Sequence, residues 1–102
     1  PLYRTEIIIS DGKSPVGYFY LAKLDSSKKW LRVGDYVSQG QTLGRIEALA
    51  LDEAEDVKSK YNGIIKNILI LPKSWRERRK FFKKGWPVEQ GTKLFEIEVR
   101  NP

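Results

Sequence analysis

The chain contains one short sequence twice, and this repeat limits the folds that it can adopt. Residues 34–47 read GDYVSQGQTLGRIE, and residues 85–98 read GWPVEQGTKLFEIE. Aligned without gaps, the segments share Gly34/Gly85, Val37/Val88, Gln39/Gln90, Gly40/Gly91, Leu43/Leu94, Ile46/Ile97 and Glu47/Glu98. Only two copies fit into a chain of 102 residues, whereas a solenoid needs about three or more. The repeat therefore predicts a single domain over residues 1–102 that is built from two similar halves.

Each copy of the repeat has the pattern of two short strands joined by a glycine turn. A Gly precedes a Val, a Gln-Gly turn follows, and an alternating apolar run comes next. Segment 48–60 has helix propensity, but we expect strand, tight turn and strand there, because it joins two strands of an antiparallel unit. We read Asn62-Gly63 as a further turn. The predicted fold is all-β, a flattened antiparallel barrel with quasi-twofold symmetry.

The composition excludes several classes of function. The chain has neither Cys nor His, so the usual nucleophile–base pairs and soft-metal sites cannot be built. No carboxylate pair stands in a recognisable catalytic pattern, and we therefore expect no enzymatic activity, no metal and no cofactor. No stretch approaches the ~20 apolar residues of a membrane-spanning helix.

The positive charge of the chain is concentrated in one segment. Residues 73–84, KSWRERRKFFKK, hold seven basic residues against Glu77, which accounts for the whole net charge of +6. Ser74 and Glu77 have the spacing of a capping box, and Gly85 suits the end of a helix. The insertion at 72–84 is therefore predicted to form a helix of about ten residues, which alone in water would be marginal.

The predicted helix has aromatic residues at helical spacing among the basic ones. Trp75, Phe82 and Trp86 stand near i, i+7 and i+11, which predicts one aromatic face. That face could pack onto the barrel with the charges solvated, dock a partner protein, or stack on single-stranded nucleic acid. No nucleic-acid motif supports the last option. The residues predicted to contact a partner protein are Trp75, Arg76, Arg78, Arg79, Lys80 and Phe82.

Five segments, in order, resemble the biotinyl/lipoyl-domain superfamily, and most of all the biotin carboxyl carrier protein of acetyl-CoA carboxylase. The string VGDYVSQGQTLGRIEALAL (33–51) is similar to the run that ends in E-A-M-K-M in that family. The others are SPVGYFY (14–20), the "thumb"-like KLDSSKKWL (23–31), KYNGIIKNILI (60–70) and the second repeat copy. The resemblance covers about residues 13–98 and implies a hybrid barrel of the biotinyl/lipoyl type.

The chain departs from the carrier pattern at the position that matters most for a carrier. Ala50, flanked by Leu49 and Leu51, stands where the family attaches biotin to Lys, and Ala cannot form that amide. The next amines, Lys58 and Lys60, align with the following strand instead of the turn. The insertion at 72–84 is a second departure, because the family has a short turn there.

The resemblance implies a carrier-like domain without biotin that serves a biotin-dependent carboxylase, such as acetyl-CoA carboxylase, as a regulatory or structural subunit. Plant biotin attachment domain-containing proteins are similar in lacking the Lys. The alternatives are a scaffold or adaptor module of another multiprotein complex, and a carrier whose Lys was replaced. The expected partners are protein subunits, in the cytoplasm or, in a eukaryote, in an organelle stroma or matrix.

Overall fold

The computed structural model describes residues 1–12, 15–48 and 53–102. Eight strands and one helix follow in the order β1 Tyr3–Ile9, β2 Val16–Leu21, β3 Tyr36–Val37, β4 Thr42–Ala48, β5 Ala54–Lys58, β6 Gly63–Ile68, α1 Trp75–Lys84, β7 Trp86–Glu89 and β8 Lys93–Arg100. In the described part of segment 48–60, strand β5 is present and no helix is, whereas the tight turn predicted before it falls on residues 49–52, which lie outside the described residues.

The strands form two four-stranded sheets in which every described pair is antiparallel. One sheet has the order β1-β8-β6-β3 and the other β5-β4-β2-β7. Exchanging β1 with β5, β8 with β4, β6 with β2 and β3 with β7 converts one order into the other. The all-β class and the two-halved architecture are therefore confirmed, but the sheets do not close into one barrel.

A bulge in each half explains how the repeat fills the core. Strict alternation along β4 would place Leu43 and Ile46 on opposite faces, yet both are buried. The pairing of β4 with β5 shifts register at Leu43, and the pairing of β8 with β1 shifts at Leu94. One extra residue in each strand turns the leucine inward. The alternating apolar run predicted for each copy of the repeat is therefore interrupted at its leucine.

Residue 63 is a glycine because two strands approach closely there, and not because of turn geometry. The Asn62-Gly63 pair does not form the predicted turn, because Gly63 is already the first residue of β6. A Cβ on Gly63 would collide with the backbone oxygen of Glu98, and a Cβ on Gly17 would lie 2.6 Å from that of Glu47. The same contact thus recurs in both halves of the fold.

The turns of the two halves are also equivalent. Gly34 and Gly85 have positive φ, as do Gly40 and Gly91, where a side chain would be strained. The amide of Gly40 donates to the carbonyl of Ser59 at 2.8 Å, and that of Gly91 to the carbonyl of Ser10 at 2.7 Å. The glycines of the repeat therefore mark turns, as predicted.

One apolar cluster fills the space between the sheets and includes side chains from both halves. The repeated pairs Val37/Val88, Leu43/Leu94 and Ile46/Ile97 are all buried in it, as the repeat predicts. Phe19 and Phe95 meet edge to face, with ring centroids 5.9 Å apart. This shared core gives helix α1 a surface on which to pack.

Among the described residues, no helix has the length and apolar character that crossing a bilayer requires.

Candidate protein-binding surface

Helix α1 begins and ends where its sequence predicts. The Ser74 hydroxyl accepts a hydrogen bond from the Glu77 amide at 3.2 Å and donates one to the Glu77 carboxylate at 3.1 Å. Gly85, with φ of 75°, ends the helix, and its amide donates to the Phe81 carbonyl at 3.1 Å. Glu77 near the N-terminus and Lys83 near the C-terminus suit the helix dipole. The helix is therefore defined at both ends.

Phe81 attaches the helix to the core. It is 2 % exposed, and its ring centroid lies 6.3 Å from that of Phe19 on β2. Phe81 is not part of the predicted aromatic face; of that face, Trp75 is exposed and Phe82 is half-buried against the core. Trp86 does not belong to the helix at all, since Gly85 ends it, so helical spacing does not apply to that residue.

The outer side of the helix carries an exposed indole between two cations. Trp75 is 65 % exposed, and the guanidinium carbons of Arg76 and Arg79 each lie 5.9 Å from its ring centroid. Such cation–π contacts hold the indole and the guanidinium groups together at the surface. We call Trp75, Arg76 and Arg79 the helix cluster.

The charge of the helix is not neutralised by neighbouring carboxylates. Seven basic residues of segment 73–84 are exposed, and no ion pair between described residues includes any of them. Arg78 is tied back to the loop, because its Nε donates to the Pro72 carbonyl at 2.7 Å. An exposed aromatic side chain beside unneutralised cations suits an acidic protein surface, where Trp and Arg are the common anchors.

A second aromatic contact joins the helix to the segment that follows β2. Residues 22–31 form a hairpin-like turn, in which Lys23 bridges to Trp30. Trp30 is 38 % exposed, and its ring centroid lies 5.1 Å from that of Phe82. The Lys23 amine lies 4.6 Å from the Trp30 ring. The exposed surface therefore extends from the helix onto this turn.

An open groove lies beside the turn, with Tyr20, Lys23, Trp30, Arg45 and Asp56 among its lining residues. Desolvation raises the pKa of Tyr20, and the neighbouring Glu47 carboxylate acts in the same direction. The Arg45 guanidinium lies 5.2 Å from the Tyr20 ring and pairs with Glu47 at 2.9 Å. These groups satisfy one another and form a structural network on the outer face of the sheet.

The structure thus divides the six predicted contact residues. Trp75, Arg76 and Arg79 lie together, whereas Arg78 contacts the loop and Phe82 packs against Trp30. Lys80 is exposed on the same helix. Sequence reasoning missed Trp30 and Lys23; a tryptophan in an otherwise polar segment was the available signal.

The predicted carrier position, Ala50 with its neighbours Leu49 and Leu51, lies outside the described residues. In the part of the chain that is described, no group of three or more acidic, His or Cys side chains is placed to hold a metal ion. The buried polar residues there are Ser10 and Ser59, whose backbone groups take part in the turns of the two halves.

No model of a known protein family matches the chain, and no curated protein matches it.

Proposed function

We propose that this chain is a non-biotinylated carrier-like domain of the biotinyl/lipoyl hybrid-barrel type. In this proposal it serves a biotin-dependent carboxylase, such as acetyl-CoA carboxylase, as a structural or regulatory subunit. The observation that carries the proposal is the exchange symmetry of the two four-stranded sheets. It supports the resemblance of residues 13–98 to the biotin carboxyl carrier protein, which rests on the same repeat.

The helix cluster would be the contact with the partner. Its helix is capped at both ends and fixed to the core by Phe81, so its side chains are presented with little loss of entropy on binding. The net charge of +6 in segment 73–84 would steer an acidic protein surface towards it. Trp75 would then insert into that surface, as buried Trp residues commonly do at binding hot spots.

The absence of modification is tested by intact mass. After co-expression with a biotin ligase the chain should keep its unmodified mass, because Ala50 has no amine. A gain of one biotin, mapped to Lys58 or Lys60, would refute the proposal. The triple variant Leu49→Met, Ala50→Lys and Leu51→Met should accept some biotin if the segment can adopt a carrier geometry.

The proposed interface is tested by co-purification with carboxylase subunits. A variant with Arg76, Arg78, Arg79 and Lys80 changed to Ser should remain folded, since these side chains are exposed. We expect it to bind less tightly and with weaker salt dependence than the parent chain. The matched control loses the same number of positive charges on the sheets, through Lys58→Ser, Lys66→Ser, Lys93→Ser and Arg100→Ser.

The outcome of these experiments separates the carboxylase subunit from an adaptor of another complex. The basic helix favours the adaptor, because it departs from the carrier pattern. If the parent chain co-purifies with a different complex, and the helix variant loses that complex, the adaptor function is correct. If parent and helix variant bind equally at low salt, the helix is not the interface. Tight binding of single-stranded oligonucleotides with a steep salt slope would instead identify a nucleic-acid surface.

A further inference from the structure

Strand β1 leaves a long row of backbone groups at one edge of its sheet. Within the described parts of the chain it pairs with β8 alone, and it is the outermost strand of the order β1-β8-β6-β3. The Leu2 carbonyl accepts a hydrogen bond from the Asn101 amide at 2.8 Å, so Leu2 faces β8. Because backbone groups alternate along a strand, Arg4 and Glu6 also face β8, whereas Tyr3, Thr5 and Ile7 point outward.

The other sheet edges are protected in ways that β1 is not. The twofold counterpart, β5, has the sequence AEDVK, in which Glu55 and Asp56 carry charges of the same sign, whereas the charges of β1, on Arg4 and Glu6, have opposite signs. Strand β3 spans two residues, and β7 contains Pro87. Charges, short length and Pro are the usual means of blocking edge-to-edge association. By contrast, β1 is seven residues long, contains no Pro, and exposes 38 % of Ile7 and 41 % of Ile9.

The charges of β1 are complementary to a second copy of the same strand in one register. In an antiparallel pair centred on Thr5, Arg4 of each strand lies opposite Glu6 of the other. Thr5 then exchanges backbone hydrogen bonds with its own copy, and Tyr3 lies opposite Ile7. Centring the pair on Glu6 or on Arg4 would place like charges directly opposite, which destabilises a sheet. The register centred on Thr5 is therefore the one that places opposite charges opposite each other.

Each charged residue of β1 already has a partner on the β8 side of the strand. The Arg4 Nη1 donates to the Asn101 side chain at 3.0 Å, and its guanidinium lies 6.0 Å from the Tyr61 ring. A hydrogen bond to Glu6 is the main cause that raises the pKa of Tyr61. Arg4 and Glu6 lie on the same face of β1, so both would meet their counterparts on one side of a joined sheet.

We propose that two copies of this chain associate through β1, antiparallel and about a twofold axis at Thr5, so that their sheets become one continuous sheet. The outward backbone groups of β1 would supply the hydrogen bonds, as in β-strand addition generally. The Arg4–Glu6 pairs would set the register. Such an isologous contact is closed, and the assembly would stop at a dimer.

Charge reversal tests the register by sedimentation equilibrium. The parent chain should show about twice the 11.8 kDa monomer mass. Arg4→Glu and Glu6→Arg should each weaken dimerisation about tenfold or more, because like charges then face each other at both symmetry-related positions. The double variant Arg4→Glu/Glu6→Arg should restore it. Glu53→Arg, an exposed charge reversal beside β5, is the matched control and should have no effect.

A backbone variant tests the same contact without changing charge. Thr5→Pro removes the outward amide of the central residue and leaves the bonds from β1 to β8 in place. We expect a folded monomer, with its circular dichroism unchanged. A monomeric parent chain at about 1 mM, where even a Kd in the micromolar range gives mostly dimer, would overturn the proposal. An unchanged dimer in Thr5→Pro, or a double charge variant that stays monomeric, would also overturn it.

Discussion

Replacing Phe81 by Ala tests whether one side chain holds the basic helix on the core. Phe81 is almost fully buried and packs against Phe19 from β2. A buried Phe→Ala change costs about 3–5 kcal/mol, since apolar burial is lost and a cavity remains. A helix of ten residues is marginal by itself, so it has little other support.

The expected loss is large compared with the free energy of unfolding of a typical domain, about 5–15 kcal/mol. With a urea m-value of roughly 2 kcal/mol/M, a loss of about 4 kcal/mol would lower the unfolding midpoint by roughly 2 M. Urea titration followed by far-ultraviolet circular dichroism measures this shift without relying on any one tryptophan.

Trp75→Ala is the matched control, because it removes a larger aromatic side chain from the exposed side of the same helix. We expect a change within about 0.5 kcal/mol, as for other surface substitutions. If Phe81→Ala lowered the midpoint no more than Trp75→Ala, the helix would not depend on this anchor, and the argument that it presents a fixed surface would fail.

Three further predictions concern the sheets. Leu43→Ala and Leu94→Ala should each cost roughly 2–5 kcal/mol in urea unfolding, since the two bulged leucines are equivalent; a loss in only one would contradict the symmetry. Gly63→Ala should cost about 1–3 kcal/mol, because its Cβ meets backbone that cannot move aside, and an unchanged melting temperature would refute this contact. Folding raises the pKa of Tyr20 and of Tyr61. The contribution of these two groups to stability should therefore be fully present below about pH 10 and should be lost as the pH rises through their pKa values in the folded state. Tyr20→Phe and Tyr61→Phe should each make this alkaline loss shallower in thermal melts between pH 9 and pH 12, and an equal slope would contradict the assignment.

The helix of the candidate surface could be predicted from the sequence, because the residues that start and end it act locally. Ser74, Glu77 and Gly85 define the helix through contacts only a few residues apart. The sequence did not predict which aromatic residue of the helix faces the core. Adjacent Phe81 and Phe82 lie about 100° apart on the helix, and only the position of Phe19 on a distant strand decides between them.

The sequence by itself determined the existence of the strands, the glycine turns of the repeat and the division into two halves, since apolar patterns and positive-φ glycines act over a few residues. Only the tertiary structure decided how those strands assemble. Two sheets with exchanged strand order, the bulges at Leu43 and Leu94, and the close approach at Gly63 all depend on partners far along the chain. The open edge at β1 also depends on the tertiary structure, because the order of the strands in the sheet decides which strand is outermost.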